Sequence, residues 1–185
     1  MKRVGLLFIL LLNISLLSSG QKSPDTSFDS LLAAKGQKSV GLKFPNFKTR
    51  NNLTQIDNNN LKRKITYINF WFKDCPPCIA EMRSLNDLYD QLRYQKDFQF
   101  FSFTFEGEKT IDLIRNKYKI QYPIFHLSKT ECYRLNQDSG FPVHIILDKQ
   151  GVILFLLSGY HTDLAGARDY LFSKIYPVII SALKN

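Results

Sequence analysis

Cysteine is almost missing from this 185-residue chain, occurring only at Cys75, Cys78 and Cys132. Three cysteines exclude the disulfide-stapled scaffold of small secreted domains, and an apolar content of 44% lets a chain of this length fill a core without staples. A structural zinc site is poorly served. It wants four ligands, and the single Cys pair could be completed only by residues such as Cys132 and His126. No internal repeat is visible. Acidic residues are outnumbered, 16 against 25 Lys and Arg, for a net charge of +9. The basic residues are nevertheless scattered, and the only tight run is "KRK" at 62–64. That pattern reads as a solvated surface in preference to a nucleic-acid track.

Long apolar runs are also lacking, with one partial exception. Lys2 and Arg3 precede an apolar stretch from Val4 to Leu17 that is broken only by Asn13 and Ser15, and Ser18, Ser19 and Gly20 follow. Residues 1–20 thus have the layout of a signal peptide cleaved after Gly20. The stretch is shorter than the ~20 residues of a spanning helix, which favours cleavage over retention as an uncleaved anchor. No cysteine follows it, so lipid attachment there is excluded. Residues 21–38 are polar and read as a linker, leaving 39–185 as one domain.

"KFPNFKT" (43–49) alternates and is expected to form a strand held at an edge by Pro45. "RNNLTQIDNNNLKRK" (50–64) reads as turns around a short strand. "ITYINFWF" (65–72) and "FQFFSFTF" (98–105) are apolar enough to be central strands buried on both faces. Between them Ile79, Met82, Leu85, Leu88, Tyr89 and Leu92 fall at helical spacing, in a helix that starts at the Cys-Pro-Pro-Cys. Residues 108–118 read as a helix with Ile111, Leu113, Ile114 and Tyr118 inward. "YPIFHL" (122–127) is extended, and 140–160 is a hairpin around "DKQG". A terminal helix from Asp163 to Leu183 is expected to bend near Pro177. Strand, helix, strand, helix, hairpin and helix describe an α/β domain with a mixed central sheet flanked by helices and preceded by an N-terminal β extension.

The chemistry concentrates at Cys75 and Cys78. A cysteine at the start of a helix faces unpaired backbone N–H groups and the positive end of the helix dipole, which favour its thiolate. Pro76 and Pro77 sit where a missing N–H costs nothing. Spacing i, i+3 places Cys78 one turn on and within disulfide reach. Cys75 is then the exposed attacking thiol and Cys78 the more buried resolving thiol.

With those residues in view, "INFWFKDCPPCIAEMRSLNDLY" (68–89), "GFPVHIILDKQGVI" (140–153) and "KFPNF" (43–47) together resemble the thioredoxin superfamily, most closely its TlpA/ResA-type exported thiol–disulfide oxidoreductases. The resemblance implies a thioredoxin-like fold over roughly residues 40–183. It implies a cis-proline at Pro142, with the backbone of Phe141 pairing an extended substrate segment. It also implies that Glu81 exchanges a proton with Cys78. Asn69 stands where thioredoxin proper carries a buried carboxylate, in keeping with the TlpA group. Asp74 stands where the family usually has Trp. Asp74 raises and Lys73 lowers the Cys75 pKa, so Lys73, Asp74, Pro76 and Pro77 are the residues expected to tune the redox pair. Trp71 and Phe141 are the aromatics expected beside the dithiol as substrate contacts.

No cofactor is implied beyond the redox-active Cys75–Cys78 pair itself. The implied partners are protein disulfide substrates and a membrane thiol that supplies electrons, acting on a monomer in the periplasm or cell envelope. Two other readings use the same residues, a dithiol oxidase or isomerase and a metal-binding or delivery module. Cys132 reads as a partly buried structural cysteine, and His144 as a sheet-face residue.

Overall fold

The computed structural model describes residues 36–159 and 163–185. Residues 1–20, read as a signal peptide, residues 21–35 of the expected linker, and His161 lie outside them. Two strands open the domain, β1 (Lys48–Arg50) and β2 (Gln55–Asp57), paired antiparallel and followed by a 3-10 turn at Asn58–Leu61. Then come β3 (Ile65–Trp71), α1 (Pro76–Leu92), β4 (Phe98–Thr104), α2 (Glu108–Tyr118), β5 (Ile124–His126) and α3 (Lys129–Leu135). The hairpin β6 (Val143–Leu147) and β7 (Ile153–Ser158) follows, and α4 (Leu164–Tyr170) and α5 (Tyr176–Lys184) close the chain. Among the described residues no helix is long and apolar enough to cross a membrane.

The main sheet has the order β5-β4-β3-β6-β7. β3, β4 and β5 run parallel, and β6 is antiparallel to both β3 and β7. Alternation along the strands sorts the core into two halves. Tyr67, Trp71, Phe100 and Ile146 face α1, α2 and the C-terminal helices. Ile68, Phe70, Phe103 and Ile145 face the N-terminal extension and α3. Because both faces are covered, β3 is buried along its whole length, as its apolar run requires.

The structure revises four expectations. The 43–49 segment is only partly a strand. Lys43 makes a single bridge to Val152, and the ladder resumes at Lys48. Pro45 offers no N–H, and Asn58 takes over by donating to the Pro45 carbonyl and accepting from the Phe47 N–H. Leu113 of α2 is 63% exposed, because the buried stripe runs through Ile111 and Ile114. Residues 36–39, read as the end of the linker, are helical. The closing helix changes register in a π-helical segment at Leu171–Ile175, next to Pro177, which cannot donate to the preceding turn.

Candidate active site

The loop after β3 delivers Cys75 to the N-terminus of α1. Cys75 is the N-cap, with extended backbone angles, and its sulfur accepts the Cys78 N–H at 3.3 Å. Pro76 and Pro77 fill the first helical positions, Pro76 exposed and Pro77 buried. The two cysteines are joined in a disulfide with Cα atoms 5.2 Å apart. Cys75 is 4% exposed and Cys78 0%. Cys75, expected as the exposed thiol, is thus itself buried in the disulfide form, though it holds the helix N-terminus, where a thiolate gains most from the unpaired N–H groups. Lys73 and Asp74, both exposed, pair with each other at 3.7 Å.

A second carboxylate shapes this loop. Glu106, buried just beyond the end of β4, accepts the Lys73 N–H at 2.9 Å and ties the approach to the dithiol onto the sheet. Sequence reasoning passed over Glu106. The available signal was its position at the C-terminal end of a parallel strand, where α/β folds place their functional groups.

Pro142 immediately precedes β6, whose Val143 pairs with Phe70 of β3. By that register Pro142 comes level with Trp71, at the end of the sheet from which the dithiol loop departs. The Phe141–Pro142 bond is cis. Asn136, fully buried, donates to the Gly140 carbonyl at 2.8 Å and anchors the approach to this bond. Phe141 packs edge-on against Phe72, Phe105 and Tyr133, with centroids 5.3 to 5.7 Å apart. These four partly exposed rings form an aromatic collar, and Phe72 and Phe141 also touch the core cluster that holds both cysteines.

Trp71 does not join the collar. It is 1% exposed and its indole N–H donates to Ser102 at 2.9 Å, which places the ring in the core with the dithiol and not on a surface a substrate could touch. The exposed aromatic neighbour is Phe72.

Beneath α1 lies a buried polar group. Glu81, on the turn after Cys78, receives an N–H from the Asn69 side chain at 2.9 Å on one carboxylate oxygen. Its other oxygen lies 3.2 Å from His144 Nε2, off the line of an aligned hydrogen bond. His144 Nδ1 is 2.6 Å from the Tyr67 hydroxyl. Burial first, and then the Glu81 charge, push the phenols of Tyr67 and Tyr122 well above their usual range. His144 is a sheet-face residue, as its alternation implied, but the face it occupies is the one carrying Glu81.

Cys132 sits on the opposite side of the sheet from the dithiol, fully buried, with its thiol pushed up to about 12 by burial and by Glu131. It therefore cannot complete a metal site with Cys75 and Cys78. Surface recesses open elsewhere, lined by Arg50, Asn51, Glu108 and His126.

Residues 40–156 match the model of the AhpC/TSA family. Among curated proteins, the chain is similar to the thiol–disulfide oxidoreductase ResA of Bacillus cereus, 24% identical over 141 residues that cover 74% of this chain and 80% of the relative. ResA of Oceanobacillus iheyensis is 26% identical, covering 68% of this chain and 73% of that protein. Among solved structures, a candidate thiol:disulfide interchange protein DsbE from Chlorobium tepidum superposes with a TM-score of 0.66 at 18% identity, over 78% of this chain and 97% of that one. That likeness carries the thioredoxin-like fold.

Proposed function

The chain belongs to the AhpC/TSA family, and from that premise we propose that it is an exported protein-disulfide reductase acting through Cys75 and Cys78. The Cys75 thiolate attacks a substrate disulfide, forming a mixed disulfide and releasing one substrate thiolate. Cys78 then attacks the Cys75 sulfur, the second substrate thiolate leaves, and the Cys75–Cys78 disulfide remains. Two electrons pass to the substrate, and a membrane thiol donor returns them. Glu81, one turn beyond Cys78, is the proton acceptor for the second attack. Phe141 and the rest of the aromatic collar present the docking surface next to the cis-proline.

One observation carries this reading. Cys75 caps α1 with its sulfur on the Cys78 N–H, and the resolving sulfur is already in bonding range. The reductive direction and the envelope location rest on the resemblance to the TlpA/ResA group and on the signal-like residues 1–20.

Trapping tests the mechanism. A Cys78→Ala protein expressed in its native cell is expected to retain partners through Cys75, seen as adducts that dithiothreitol releases. A lack of adducts in Cys78→Ala, alongside an unreactive Cys75, refutes the exchange. Direction is tested in glutathione buffers, where a reductant's pair stays oxidised under conditions that reduce an oxidase's pair.

A further inference from the structure

We infer that His144 is a positioning residue for the exchange reaction. With Glu81 it makes a single buried proton site that takes up the Cys78 proton during resolution. The inference rests on the reading that Cys78 is the resolving thiol.

The site is built from three elements. Asn69 on β3 and His144 on β6 are direct partners in the sheet register, so their side chains rise side by side toward α1. Glu81, one turn after Cys78 on α1, reaches the sheet, receiving the Asn69 amide on one oxygen with the other 3.2 Å from His144 Nε2. Tyr67 closes the far end at His144 Nδ1. Room for the imidazole is reserved by Gly159. A Cβ there would fall 2.9 Å from Nε2, closer than side-chain carbons approach a neighbour. The titratable groups facing the imidazole are Tyr67 from β3, Glu81 from α1 and Tyr170 from α4, whose ring centroid is 5.9 Å away.

A carboxylate and an imidazole placed together in a core are costly unless they pair. In the tautomer where the Tyr67 O–H donates to Nδ1, the ring proton sits on Nε2, 3.2 Å from the Glu81 carboxylate and off the line of an aligned hydrogen bond. With neutral imidazole the pair carries one negative charge. When the Cys78 thiol gives up its proton the pair becomes neutral. The thiolate then attacks Cys75, the bond from Cys75 to the substrate sulfur breaks, and the proton passes to that departing thiolate. A histidine that merely filled space would brace Glu81 without responding to the redox state.

Two measurements separate these cases. Nitrogen-15 NMR of the His144 ring in the wild-type protein, from pH 5 to 9, is expected to give different titration midpoints in the disulfide and dithiol forms, because linkage is reciprocal. In stopped-flow assays the mixed disulfide of His144→Gln, which keeps a donor toward Glu81, is expected to persist about tenfold longer than wild type, with a shifted pH profile. An imidazole that stays neutral with one tautomer in both redox states overturns the inference. So does a His144→Gln protein that resolves at the wild-type rate and pH profile. Failure of Cys78→Ala to capture partners sinks the exchange reading and this inference together, whereas an inert His144 sinks this inference alone.

Discussion

Cys75, Cys78 and Cys132 share a side chain and differ in everything that decides its reactivity. Cys75 has a helix N-terminus, Cys78 has Cys75, and Cys132 has burial and then the Glu131 charge, which push its thiol up to about 12. In the reduced native protein at pH 8, iodoacetamide is expected to label Cys75 first and to leave Cys132 unmodified until urea is added. Mass spectrometry checks this, and rapid native labelling of Cys132 would contradict it. Asn136 is a second case of a single side chain with a defined task. Replacing it by Ala removes the bond to Gly140 and is expected to cost about 1–3 kcal/mol in urea unfolding. The dithiol was legible because its geometry is local, two residues one turn apart. His144 was not, because its phenol partner lies 77 positions away and nothing short of the sheet register brings them together.

At the level of elements, the long strands and helices were legible from periodicity, and α2 appears with the bounds that periodicity assigned, 108–118. The misses were short. α3 had no place among the expected elements, since it buries just Cys132 and Leu135 in seven residues and its remaining side chains meet solvent or the rim. The strand expected at 43–49 lost to Pro45, whose missing N–H outweighed the alternating pattern. α1 is the element that fixes the site, and it holds its place through Met82, Leu85 and Leu88 against the sheet. Leu88→Ala is expected to destabilise the fold by about 2–5 kcal/mol, read as a lowered urea midpoint with unchanged m. In the β6–β7 turn Gly151 has φ of +74° and its N–H returns to the Asp148 carbonyl. Gly151→Ala is expected to cost about 1–2 kcal/mol through backbone strain, since the nearest atoms of Leu61 leave room for the methyl.

Over the whole molecule, buried acids among the described residues resist ionisation, Tyr67, Tyr122 and Cys132 among them. Each has a folded pKa above its unfolded value, so the folded state holds protons that the unfolded state releases in alkali. The stability they allow is complete below the unfolded values, roughly pH 8.5 for Cys and 10 for Tyr, and is lost as pH rises past them. The urea midpoint is expected to hold steady up to about pH 8.5 and to fall beyond it, with a shallower fall in Cys132→Ala. A midpoint that rises above pH 9 would reverse the assignment.

The placement of Cys132 behind five strands has a consequence for fidelity. Thiol exchange is promiscuous, and a third sulfur within reach of a mixed disulfide would open a rival exit that locks the protein in a dead-end bridge. The sheet works as insulation. On the proposed mechanism it confines the traffic of electrons to one pair, so that a turnover begun at Cys75 has Cys78 as its single internal way to finish.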